Sequence, residues 1–140
     1  MKINKNYVGI FIEDEEKRIM FQLRDNKKNI PHPNRWSLFG GGIKKGEEPV
    51  EAIMREIKEE LEFSIDRKKL RLLIRSKVKN ASKYIFYYQL ENDEKLFHLK
   101  EGQKYMFLSP YRLLVKRNVV PSLRIFLLIY PFLKRCKLKQ

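Results

Sequence analysis

Cysteine is almost absent. Cys136 stands alone, so an internal disulfide is impossible and zinc sites built from several cysteines are excluded, which fits a reducing compartment. Histidine is nearly as scarce: His32 and His98 have no cysteine or histidine partner at metal-ligand spacing, and solvent-facing roles suit them better than ligation. No apolar run reaches the roughly 20 residues that a membrane-spanning helix needs, and there is no internal repeat. The opening residues, Met1-Lys2-Ile3-Asn4-Lys5, lead into an apolar stretch rather than a signal-peptide core. A soluble, cytoplasmic protein without a transmembrane segment is expected. No serine sits in a nucleophile-elbow glycine pattern and the glycines do not make a P-loop, so covalent and kinase-like routes lack their residues.

What is present points to one compact domain over residues 1–140, the length being too short for a second core. Apolar residues make up 43% and charged residues 34% of the chain, which argues against disorder. Thirty-one Lys and Arg against seventeen Asp and Glu give a net charge of +14, a sign that attracts nucleotides, nucleic acid or anionic membranes. The basic residues are spread along the chain in short clusters such as Lys44-Lys45 and Arg67-Lys68-Lys69. A solvated basic surface therefore accounts for most of them.

Tyr7 to Ile12 and Ile19 to Leu23, separated by the polar turn Asp14-Glu15-Glu16-Lys17, read as an antiparallel hairpin. A loop over Arg24 to Arg35, rich in Asn and Pro, leads through Trp36-Ser37-Leu38-Phe39 into the triplet Gly40-Gly41-Gly42. From Pro49, the apolar residues Val50, Ile53, Met54, Ile57 and Leu61 recur at helical spacing. Strands are expected over Leu70 to Val78 and Lys83 to Leu90, the second covered on both faces because its aromatics fall on both. Tyr105 to Leu108 reads as a short strand and Pro110 to Val115 as a turn of helix. A closing helix follows, with Ser122 as its cap and Pro131 kinking or ending it. The segments alternate as in α/β or α+β proteins.

Within the first helix, Glu56, Glu59 and Glu60 fall within roughly a 100° arc. Like charges so close ask for cations, and all-oxygen donors favour Mg²⁺ or Mn²⁺ over soft metals. A solvated Glu-rich helix neutralised by Lys58 or Arg55 explains the arc equally well on its own. The wider spacing decides: Gly41, Glu47, Arg55-Glu56-Ile57, Glu59-Glu60 and Glu62-Phe63 resemble the Nudix box at all but one of its specified positions.

The resemblance implies an α/β/α sandwich with a mixed β-sheet between helices, the box helix on one side and a Ser122 to Leu133 helix on the other. It implies metal-dependent hydrolysis of the diphosphate linkage in a nucleoside diphosphate derivative. Glu56, Glu59 and Glu60 would be metal ligands and catalytic residues, with the Gly40 carbonyl a further ligand. Gly41, Glu47 and Arg55 would support them, an ion-paired Arg holding a carboxylate in one rotamer. The exception is Glu62, which stands where the family has the glycine that ends the helix. A Glu there costs on the order of 1 kcal/mol in the left-handed conformation, or makes the helix end differently.

Similarity continues outside the box. Arg24, before the Pro-containing loop, is a candidate phosphate contact, though an exposed surface arginine fits equally. Trp36 reads as core, as do Tyr84, Tyr87 and Tyr88 rather than as a base-stacking platform. Lys100-Glu101-Gly102-Gln103 is similar to a short motif that supplies an additional acid in the triphosphate-cleaning branch, which makes Glu101 a candidate metal ligand and catalytic residue, with Glu91 and Glu94 as competitors. The family's ADP-ribose hydrolases carry a proline past the box, and none lies between Pro49 and Pro110. The substrate expected is a nucleoside triphosphate, oxidised ones included, cleaved to monophosphate and pyrophosphate. The alternatives are a nucleotide-sugar or dinucleoside polyphosphate hydrolase, and a non-catalytic domain binding nucleotide or RNA. Membrane-surface attachment through Leu123 to Lys139, where basic residues follow an apolar stretch, ranks behind packing of that stretch on the sheet. Oligomeric state is not legible.

Overall fold

The computed structural model describes residues 6–91 and 97–138. In chain order the elements are β1 (Tyr7–Glu13), β2 (Ile19–Leu23), β3 (Trp36–Ser37), β4 (Phe39–Gly42), α1 (Pro49–Leu61), β5 (Arg71–Val78), β6 (Ala81–Gln89), β7 (Lys104–Leu108), α2 (Pro110–Leu114) and α3 (Pro121–Lys137). The strands form one mixed sheet, with β1 at its centre: parallel to β6 from Tyr7 opposite Lys83 to Glu13 opposite Gln89, and antiparallel to β4 and β2.

A central strand buried on both faces needs apolar residues at every position. β1 meets this from Val8 to Ile12: Val8, Ile10 and Ile12 face the core that includes Ala52, Ile53, Ile57 and Leu61 of α1, whereas Phe11 faces Leu123, Leu127 and Tyr130 of α3. Phe86 and Tyr88 of β6 likewise join the first core, Ile85 and Tyr87 the second. The sheet is therefore sandwiched between helices, as the resemblance implied. Trp36 is core, 3% exposed.

α1 begins where its sequence says it should. Pro49 occupies the first turn, where its missing N–H costs nothing, and Glu48 and Glu51 form a reciprocal capping box. Each fully buried Ile or Leu on its inner face is worth about 1.5–3 kcal/mol of burial. At the other end Glu62 takes φ 53° and ψ 24°, and its N–H donates to the Lys58 carbonyl at 3.1 Å. The left-handed exit is thus made by a glutamate, whose carboxylate pairs with Lys100 Nζ at 2.7 Å.

Three expectations differ. Trp36 to Gly42, where the glycine triplet suggested flexible backbone, contains β3 and β4; Tyr7 to Ile10 of β1 pairs with β4, and backbone pairing overrides poor strand propensity. Ser122 does not cap α3: the helix starts one residue earlier, with Pro121 in the first turn and Val120 as N-cap without a side-chain bond. Pro131 does not end α3, which runs on to Lys137. The inner face beyond the proline is anchored, because the Glu13 carboxylate accepts from Tyr130 Oη at 2.6 Å and from Lys134 Nζ at 2.5 Å, and Tyr130 stacks on Phe11 with centroids 4.5 Å apart. No helix among the described residues is long and apolar enough to cross a membrane.

Candidate active site

A cleft of about 480 Å³ opens beside the start of β1, walled by β4 and α1 on one side and by the first turns of α3 on the other. Arg24, Gly40, Gly41, Glu56, Glu60 and Glu101 all line it. They come from four places in the chain. The residue after β2 supplies Arg24, β4 the glycines, and α1 the two glutamates. The 98–103 connection supplies Glu101, and backbone hydrogen bonds position it: His98 N–H donates to Leu61 O at 2.9 Å, Lys100 N–H to Glu60 O at 2.8 Å, and Gln103 N–H to Leu23 O at 2.8 Å.

The two glycines are there because backbone must come close. A Cβ on Gly40, which has φ +143°, would lie 2.0 Å from the Val8 carbonyl oxygen, and one on Gly41 would lie 2.5 Å from the Glu56 carboxyl. No side chain fits at Gly40, where backbone stands in the way, and one at Gly41 would displace the Glu56 carboxyl.

The three glutamates that share an arc of α1 sit at three depths. Glu60 is 5% exposed and accepts the Gly40 N–H at 3.2 Å. Burial, then the neighbouring Glu56 carboxylate, push its pKa up to about 8, against the pull of the Gly40 N–H; Glu101 adds to the rise. Glu56 is half-buried, and its pKa is raised by burial in spite of its hydrogen bond from Arg55, with Glu59 and Glu101 contributing. Glu59 points to the rim, its side chain 53% exposed, 3.3 Å from Arg55 Nη1. It does not line the cleft.

Arg55 organises the acids around it. Its Nε and Nη2 donate to both oxygens of Glu47 at 2.7 and 3.0 Å, Nη1 to Glu56 at 2.8 Å, and Nη2 also to the Gly42 carbonyl at 3.0 Å. The guanidinium's five donors and fixed plane suit such a junction. This fork, with the Lys44 N–H, holds the Glu47 pKa at about 2, so that carboxylate is neutralised by structure. Glu56 and Glu101 instead raise the proton affinity of Glu60, as Glu101 does that of Glu56. Arg24 opposes this at Glu60, and its Nε donates to the Pro31 carbonyl at 2.9 Å.

Among the described residues no three Asp, Glu, His or Cys side chains converge into an assembled metal site. The donor chemistry nevertheless fits a hard divalent cation: every polar acid facing the cleft is an oxygen donor, and their shared charge is under-compensated. Of the competitors to Glu101, Glu91 pairs with Lys69 at 2.9 Å and does not line the cleft, and Glu94 lies outside the described residues.

Tyr7, Lys83, Ser122 and Phe126 also line the cleft and were not anticipated. Tyr7 and Lys83 are opposite one another in the parallel β1 and β6 register, a pairing between strands far apart in sequence that no local pattern announces. Burial, then Glu60, raises the Tyr7 pKa far above its ordinary value. His32, expected to face solvent, is exposed and also lines the cleft, with φ 51°.

Known structures share this architecture. A MutT protein from Methanosarcina mazei Go1 superposes with TM-score 0.69 at 17% identity over 94% of each chain. A dihydroneopterin triphosphate pyrophosphohydrolase from E. coli gives 0.65 at 16% identity over 97% of each. A MutT Nudix hydrolase from Burkholderia pseudomallei gives 0.62 at 19% identity, over 87% of this chain and 95% of that one. No curated protein matches the sequence. The family model described as NUDIX domain matches residues 4–125, and with Glu56 and Glu60 of α1 set into the cleft wall, the chain belongs to the Nudix family of pyrophosphohydrolases, enzymes that act on phosphorus-containing anhydrides.

Proposed function

We propose that the chain hydrolyses nucleoside triphosphates, oxidised ones included, to monophosphate and pyrophosphate, with Mg²⁺ or Mn²⁺ as cofactor. The observation that carries this reading is the under-compensated trio Glu56, Glu60 and Glu101 facing one cleft with Arg24. Glu56, Glu60 and Glu101 would hold the cation, with Glu59 swinging in from the rim and the Gly40 carbonyl adding a ligand. When bound, divalent cations ease deprotonation of the attacking water and neutralise charge on the phosphate oxygens.

The protein's own groups do the rest. Arg24 and Lys83 are placed to bind phosphate oxygens, and Tyr7 and Phe126 offer apolar and aromatic surface for the nucleoside. Glu56 or Glu101 takes the proton of the attacking water, each being a carboxylate open to the cleft. Arg55 and Glu47 keep Glu56 in one rotamer without touching substrate. The placement of Glu101 beside Glu56 and Glu60 supports a triphosphate over a sugar nucleotide, since an acid beyond the helix provides for a second ion. Glu62 preserves the left-handed exit of α1, so the one departure from the box leaves the ligands' helix intact.

A Mg²⁺-dependent screen over nucleoside triphosphates, nucleotide sugars and dinucleoside polyphosphates tests the reading, repeated with Glu59→Gln. Turnover of triphosphates that falls at least tenfold in the variant is expected. Turnover that ignores the substitution would sink the proposed site, and preference for nucleotide sugars would overturn the substrate.

A further inference from the structure

Helix α3 is apolar on two opposite sides. Leu123, Leu127 and Tyr130 are buried against the sheet, while Ile125, Leu128, Ile129 and Phe132 are exposed by 62%, 68%, 39% and 72%. At about 100° per residue the two sets are centred on opposite sides of the helix axis, and the exposed four form a stripe roughly 100° wide at the i, i+3, i+4, i+7 spacing of an amphipathic face. α3 cannot roll that stripe inward, because Tyr130 and Lys134 both hold Glu13. Opposed apolar faces imply a cover on each.

The surroundings say what the outer cover is. From Gly102 to Gln140 the chain has nine Lys and Arg and no Asp or Glu. Arg124 donates to the carbonyls of Leu114 at 2.6 Å, Lys116 at 2.5 Å and Arg117 at 3.3 Å, which fastens the end of α2 along one flank of the stripe. Tyr111 and Val115, exposed apolar residues, are thereby carried on the same corner as the exposed Arg112 and Arg117, and the exposed Arg135 lies on that flank further along. A second copy paired symmetrically on this face would set two acid-free, cationic surfaces against each other. An anionic lipid surface offers what both features lack: a hydrocarbon boundary for the stripe and negative headgroups for the arginines.

We propose that the outer face of α3, with the α2 corner, attaches the protein to anionic membranes, the helix lying in the plane of the headgroups. Ser122 and Phe126, the α3 residues of the cleft, sit roughly 70–110° around the helix from the centre of the stripe, so the cleft stays open to the side of the attached face. The inference does not depend on the reaction in the cleft.

Co-sedimentation of the intact protein with phosphatidylcholine vesicles, with and without phosphatidylserine, tests it. Binding at least tenfold tighter to the serine-containing vesicles is expected, with at least a tenfold loss in Leu128→Ser/Phe132→Ser, whose nucleotide hydrolysis stays unchanged. Cys136, the single cysteine, also falls on the stripe by helical phase, and a polarity-sensitive fluorophore there should shift to the blue on anionic vesicles. Three results overturn the proposal. One is no vesicle binding or no blue shift; another is binding that the double substitution leaves intact, which assigns it to diffuse charge; the third is a lipid-free dimer that the double substitution dissociates.

Discussion

Glu13 and Glu60 are both buried carboxylates, 1% and 5% exposed, one on each face of the same sheet, and their surroundings are opposites. Glu13 is met by Lys134, by the hydroxyls of Tyr130 and Tyr87, and by no other acid among its hydrogen-bonding partners. Glu60 is met by one backbone N–H from Gly40 and by the field of Glu56 and Glu101. Both are hydrogen-bonded, for among the described residues no buried side-chain polar atom lacks a partner. The difference is charge. A buried carboxylate whose charge is matched ties elements together; one whose charge is left unmatched, facing open space, is poised for a cation from outside.

Replacing each by its amide separates these roles. The largest effect expected is on Glu60→Gln: nucleotide hydrolysis falls about a thousandfold, about 4 kcal/mol of barrier at 1.36 kcal/mol per decade, while the protein stays folded. Steady-state kinetics beside circular dichroism reads both, and activity within tenfold of the parent would break the contrast.

Proton linkage comes next. The folded pKa of Glu60, about 8, lies above its ordinary 4.5, so the folded state holds the proton more tightly. Below pH 4.5 both states are protonated and nothing is lost; as pH rises from 4.5 to 8 the metal-free fold loses stability, on the order of 3–5 kcal/mol at 1.36 kcal/mol per pKa unit. Denaturant unfolding across that window in chelator should show the decline, and Glu60→Gln should flatten most of it. An equal slope in the variant would place the burden on another group.

Glu13→Gln should act the other way, costing about 2–3 kcal/mol because Lys134 loses its counter-charge, a loss softened by the 28% exposure of that lysine. Hydrolysis per folded molecule is expected to hold. Smallest of all, Glu62→Gly should change stability by less than about 1 kcal/mol, relief of the left-handed strain being offset by greater chain entropy and an exposed salt bridge. Thermal unfolding distinguishes this from a structural role for the side chain.

How much of this was legible follows from how local each signal is. α1, its Pro49 start and its acids lie in one contiguous run, and the sequence places them correctly. The arc of Glu56, Glu59 and Glu60 followed from helical phase, but phase carries no depth, which is why the outward position of Glu59 was not foreseen. Tyr7 and Lys83 meet only because β1 and β6 run parallel, and the continuation of α3 past Pro131 rests on Glu13 at the other end of the chain. Long-range pairing and tertiary anchoring of this kind override local breakers and leave no periodic trace.

The bond from the Lys100 N–H to the Glu60 carbonyl couples two parts of the cleft mechanically. Because Glu60 and Lys100 are joined main chain to main chain, the spacing between the acids of α1 and the neighbouring Glu101 is set by backbone rather than by side-chain rotamers. The same connection is tied at its other end to the strand that leads into Arg24, by the Gln103 N–H to the Leu23 carbonyl at 2.8 Å and by Gln103 Nε2 to the Arg24 carbonyl at 2.8 Å, so one short segment of backbone sets the spacing of the acids and of the arginine together.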